Sequence, residues 1–235
     1  MVIHYSLTIP FLFLIISFGL SSCSSSNNNT LEINQRKNPT IISSINIESL
    51  LSNLINADRK FTPKVVLEDG RQIYRYKKVT GDNDLNLNEI KKRLSLGSDY
   101  FERDRANIKI LLKKINDLKI NNKIVDIESG ALGTWTSSKN QILINNKTVK
   151  RGSRTFLEVL RHESIHVAQS CYRGSKNSYP KRIGLPLEFS KDLEFNLSHK
   201  LYSKNSEEGI ALEREAFTYS KVDGAALKLL DKFCL

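Results

Sequence analysis

The chain has 235 residues, 40% of them hydrophobic and 26% charged, with a formal net charge of +11. This is enough apolar material for a packed core and excludes a disordered composition, and the length fits one domain with a short N-terminal elaboration. No internal repeat and no glycine-rich phosphate loop is present, which excludes solenoids and P-loop nucleotide enzymes.

In chain order, residues 1–22 contain no Lys, Arg, Asp or Glu. Residues 9–20 are apolar throughout, too few for a spanning helix of about 20 residues but suited to the core of a signal peptide. Residues 23–44 open with a Ser/Asn-rich run and are expected to be a flexible tether, with one folded domain over 45–235. Ile47, Leu50, Leu51, Leu54 and Ile55 predict a first helix. Val65–Leu67 and Ile73–Tyr76 flank Asp69-Gly70, a hairpin signal. A short helix is expected over 87–96. A longer one, from Ser98 to Leu118, carries Arg103, Arg105, Lys109, Lys113 and Lys114 on a face read as solvated. Strands are expected at 124–127 and 140–146. A helix follows over 157–171, then a long Gly/Pro loop from Gly174 to Pro186, and helices at 187–203, 207–220 and 225–233. A surface this basic suits an anionic partner (nucleic acid, acidic membrane or acidic polymer) or is merely soluble.

Leu20-Ser21-Ser22-Cys23, directly after the apolar run, resembles the lipobox of bacterial lipoproteins. The resemblance implies a signal peptide over 1–22, acylation of Cys23, and attachment to the membrane of the cell envelope by two or three chains. Ser24 after the lipidated Cys implies the outer membrane, facing the periplasm. The alternative is a secretory peptide that leaves Cys23 a thiol. Export argues against a nucleic-acid partner and leaves an anionic envelope polymer for the basic surface. In an oxidising compartment Cys171 and Cys234 form an even pair, either bridged or as two thiols.

His162-Glu163-Ser164-Ile165-His166 matches H-E-x-x-H. The apolar residues around it have helical period, and positions four apart on a helix differ by about 40°, so the two imidazoles project side by side. Glu163 lies about 100° from His162, at the edge of the site. The chain from about Ile124 to Tyr219 resembles the zincin-like metallopeptidases, gluzincin type. That resemblance implies an α+β fold, mostly helical, with a small sheet whose edge strand precedes the H-E-x-x-H helix. It implies one zinc ion on His162 and His166, with Glu163 as the general base of peptide hydrolysis. Leu212-Glu213-Arg214-Glu215-Ala216 resembles the E-x-x-A and E-x-E-A-D segments of gluzincins, which makes Glu213 the third ligand. Glu215, about 200° round the helix, is the alternative. Phe217 stands where the E-x-E-A-D variant has Asp, so an orienting carboxylate must come from elsewhere. Tyr219 or His199 is expected to hydrogen-bond the developing oxyanion. Ile142, Leu143 and Ile144 are placed to be the substrate-binding edge strand, or else an interior strand. The expected activity is zinc-dependent hydrolysis of peptide or protein substrates in the envelope. The competing reading is a non-catalytic envelope lipoprotein whose metal site is structural or vestigial and which acts as a binding module.

Overall fold

Asn and Ser side chains start three of the helices where the periodicity places them. Asn46 Oδ1 accepts the Ser49 N–H, Asn86 Oδ1 that of Glu89, and Ser206 Oγ that of Gly209, each satisfying a donor that a helix start leaves open. The computed structural model describes residues 40–79, 84–128, 130–187, 189–198 and 206–234. In chain order the elements are β1 (Thr40–Ser44), α1 (Ile47–Asp58), β2 (Lys64–Glu68), β3 (Arg71–Arg75), α2 (Leu87–Leu96), α3 (Glu102–Asp117) and β4 (Asn121–Asp126). There follow β5 (Gly133–Thr136), β6 (Gln141–Asn145), α4 (Asn146–Lys150), α5 (Ser153–Tyr172), α6 (Lys191–Leu197), α7 (Glu207–Ser220) and α8 (Ala225–Phe233). The class is α+β. No described helix is long and apolar enough to cross a membrane.

The larger sheet runs β1-β4-β6-β5, with β4 and β6 parallel and the outer pairs antiparallel. The hairpin β2–β3 stands apart as its own two-stranded sheet. The principal core gathers Leu54 of α1, Ile108 and Leu112 of α3, Ile142 and Ile144 of β6, and Phe156 and Leu160 of α5. Helix α5 is buried along almost its whole length, packed by α3, α7, α8 and β5. It is therefore the axis of the domain, not an amphipathic surface helix.

Both ends of α5 are fastened by residues distant in sequence. At its start Gly152 has φ +93° and offers no capping side chain. Asp58, at the end of α1, accepts from the Ser153 N–H (2.8 Å) and Ser153 Oγ–H (2.6 Å) instead. A Cβ at residue 152 would sit 2.6 Å from Asp58 Oδ1, so the approach of α1 requires glycine there twice over. At its end a disulfide joins Cys171 to Cys234, with Cα atoms 5.2 Å apart.

Four expectations change. Thr40–Ser44, expected to be tether, is the strand β1; its Thr-Ile-Ile run is β-branched and pairs with β4. Of the two readings of Ile142–Ile144, edge or interior strand, the interior one holds, because β6 lies between β4 and β5. The edges are β1 and Gly133–Thr136 (β5), a segment in which no strand was expected. The face of α3 is not uniformly solvated: Arg105 is buried and its Nη1 donates to Asp58 Oδ2 at 2.7 Å. Finally, α6 starts at Lys191 and not Leu187, with the Leu193 N–H donating to Ser190 Oγ. His199 and Cys23 lie outside the described residues.

Candidate metal centre

Two helices bring the donors together. Helix α5 supplies His162 and His166 one turn apart, with ring centroids 4.7 Å apart. Helix α7 crosses behind it and presents Glu213, while Ala216, fully buried, lets the helices approach. His162 Nε2 lies 3.0 Å from His166 Nε2, and Glu213 Oε2 lies 3.2 Å from the first and 3.4 Å from the second. Among the described residues this is the group of His, Cys, Asp and Glu side chains placed to share a metal ion. Two imidazole nitrogens this close repel unless a proton or a cation stands between them. Ligand bonds of about 2.0–2.1 Å in a tetrahedron put donor atoms roughly 3.3 Å apart, so the triangle fits zinc.

Charge in the cluster is unevenly held. Burial lowers the His162 imidazole to about 4, and the hydrogen bond to Glu213 only partly offsets this. Burial also disfavours the His166 cation, yet the charges of Glu213 and Glu163 and the bond to Gln169 outweigh it and raise this imidazole to about 9. Burial would raise the Glu213 carboxyl, but His166 and His162 hold it far below the usual carboxylate range. Glu213 is thus an anion facing two imidazoles, a set of donors that could hold a divalent cation.

Glu163 packs beside this cluster against the edge strand. A Cβ added to Gly133 of β5 would lie 3.0 Å from Glu163 Oε1 and 2.6 Å from Val159 Cγ1. Among the described residues neither Glu163 oxygen has a hydrogen-bond partner of normal geometry; the Trp135 backbone N–H pulls its carboxyl slightly down. Burial pushes the carboxyl up to about 8, His166 opposing and Glu213 adding to the rise. Trp135 fastens β5 to α5 through Nε1–H donating to Ser170 Oγ at 3.0 Å.

The two buried Glu residues of α7, Glu213 and Glu215, have separate jobs. Glu215 points away from the metal cluster and accepts the backbone N–H groups of Ile183, Gly184 and Leu185, each at 2.9 Å. It also accepts Gln169 Nε2–H at 2.8 Å. Gln169 Oε1 in turn lies 2.7 Å from His166 Nδ1. The structure therefore gathers Glu213 with the two His, and Glu215, the alternative ligand, anchors the loop after α5. Phe217 lies against His162, ring centroids 4.4 Å apart, and His162 Nδ1 has no hydrogen-bond partner among the described residues. Tyr219 packs against the principal core, about 240° round α7 from Glu213. The Tyr179 phenol, raised first by burial, is raised further by the charge of Glu213, which puts Tyr179 within electrostatic reach of the cluster.

Gln169, Gly133 and Tyr179 are the residues the sequence did not single out. Gln169 had a signal: it is a polar side chain three residues after His166, on the same face of the helix. Gly133 and Tyr179 had none, since their roles depend on which helix each loop or strand is laid against. Comparison with family profiles, with curated proteins and with solved structures finds no match for the chain.

Proposed function

We propose that the chain is a zinc-dependent metallopeptidase of zincin-like fold, held by a lipid at Cys23 in a bacterial cell envelope. One observation carries the chemistry: two Nε2 atoms and one carboxylate oxygen, from helices 51 residues apart in sequence, meet within 3.0–3.4 Å, with Glu163 buried beside them. His162, His166 and Glu213 would hold the ion. When bound, zinc supplies Lewis acidity, making a water more acidic and polarising a carbonyl. Glu163 takes the proton of the attacking water and returns it to the leaving amine; a cation nearby lowers its carboxyl into the range where it serves as a base. Substrate backbone would add to the sheet along Gly133–Thr136, the strand next to Glu163. The export and lipidation signals of residues 1–23 support the location, and the net charge of +11 supports contact with an anionic envelope polymer.

The test is metal content beside peptide hydrolysis. Wild type binds one equivalent of zinc and cleaves. Glu163→Gln keeps the zinc and loses about 10²–10⁴ in rate. Glu213→Ala loses the zinc, whereas Glu215→Ala still binds an equivalent, with lower affinity. Cys23→Ser moves the protein from the membrane to the soluble fraction; unchanged fractionation refutes the anchor. A second reading, a structural metal site in a binding lipoprotein, is favoured by the burial of all four side chains, none more than 2% exposed. Stoichiometric zinc with no cleavage of a diverse peptide library by wild type selects it.

A further inference from the structure

We propose that Gln169 and Glu215 form a positioning relay that fixes the ring of ligand His166 and couples it to the seating of the backbone at residues 183–185. The inference rests on the metal-site reading above and goes beyond its ligand set. The hydrogen bonds have a determined direction. Gln169 Nε2 faces two acceptors, the Leu212 carbonyl at 3.2 Å and Glu215 Oε2 at 2.8 Å. The amide NH₂ must therefore point that way, leaving Oε1, an acceptor, toward His166 Nδ1 at 2.7 Å. His166 therefore donates from Nδ1, and Nε2 is the ring nitrogen that faces Glu213 and His162, where a cation would take the place of a proton. An amide oxygen thus does what a carboxylate or backbone carbonyl does in most histidine metal sites.

Glu215 sets the orientation of Gln169 and, through the same two oxygens, collects three consecutive backbone N–H groups. One carboxylate so ties the loop between α5 and α6 to the ring of a metal ligand. Gln169, Glu215 and His166 are all buried, so water cannot substitute for a lost partner without local opening. Cation binding at His166 and ordering of residues 183–185 then favour each other, and by linkage the effect runs both ways. Among the described residues His162 has no such support on Nδ1, which makes His166 the pre-organised ligand of the two.

The test uses the full chain in three measurements: exchange of the His166 Nδ1 proton by ¹⁵N-edited NMR in metal-free protein, amide exchange at residues 183–185 with and without zinc, and zinc affinity by chelator competition. In wild type the ring proton is protected and zinc slows exchange at 183–185. In Gln169→Leu the ring proton loses protection, zinc affinity falls about 10–100-fold, and zinc no longer changes exchange at 183–185. Glu215→Gln, which replaces an acceptor by a donor at equal volume, speeds amide exchange at 183–185 and weakens zinc in the same direction; it carries the test if Gln169→Leu does not fold. Wild-type ring-proton exchange and zinc affinity within twofold of wild type in Gln169→Leu overturn the relay, as does a zinc effect on 183–185 that survives the substitution. If wild type binds no zinc, the proposed function falls, while the ring-proton measurement in metal-free protein still decides for or against the relay.

Discussion

Gly133 shows how a single missing atom shapes the candidate site. Its backbone lies so close to α5 that a methyl group would overlap Val159 and press on the Glu163 carboxylate. Gly133→Ala is expected to destabilise the protein by about 1–3 kcal/mol through overpacking, measured by urea unfolding, and, on the proposed function, to slow peptide hydrolysis by displacing Glu163. An Ala variant with wild-type rate and stability would show that β5 can move away from the helix. The same scale separates Glu213 from Glu215. Helical geometry puts them on different faces, and E-x-x-A resemblance favours the first. Only the contacts reveal that Glu215 is engaged by four hydrogen-bond donors elsewhere.

At the scale of elements, α5 is held at both ends, and both fastenings are long-range. The Asp58–Arg105 pair at its start is buried at 2.7 Å, and burial still raises the Asp58 carboxyl despite Ser153 and Arg105. The pair is therefore a device for placing α1, α3 and α5 more than a source of net stability. At the other end the disulfide closes 63 residues, which corresponds to about 4 kcal/mol of lost chain entropy in the unfolded state. A Cys171→Ser/Cys234→Ser variant should show a lower Tm and faster amide exchange in α8 than in α1; an unchanged Tm would refute that role. Midway along α5, half-buried Glu158 has its carboxyl pushed up to about 7 from 4.5, chiefly by burial, with Arg154 opposing. Its folded value exceeds its unfolded one, so the stability it contributes is present below about pH 4.5 and is lost as pH rises through about 7. Wild type should lose stability across that window relative to Glu158→Gln, measured as the difference between their urea midpoints. Parallel pH curves for the two proteins would refute it.

For the molecule as a whole, a bound ion is expected to act as a cross-link between α5 and α7. Ligand that binds only the folded state at a hundredfold above its Kd adds about 2.7 kcal/mol. A chelator should therefore lower the Tm, added zinc should restore it, and Glu213→Ala should show neither change. The surface charge is partly committed to holding helices together: Arg103 pairs with Asp223, Lys109 with Glu48 and Lys114 with Asp231. Each pair joins α3 to another segment of the chain, so the basic stripe contributes to architecture as well as to any anionic contact.

The sequence by itself determined most of the helices, the hairpin and the placement of His162, Glu163 and His166 on one helix. Apolar period and capping residues act within a few positions, and His162, Glu163 and His166 share one helix whose pitch places them. Tertiary structure alone decided what depends on which segments meet. It made the four-residue Gly133–Thr136 an edge strand, because β6 pairs in parallel with β4 and leaves its other side to β5. It drew Thr40–Ser44 into the sheet, joined Cys171 to Cys234, sank Arg105 against Asp58, and set Gln169 and Glu215 behind His166. Those choices are made by packing between residues tens of positions apart, and no local period or spacing encodes them.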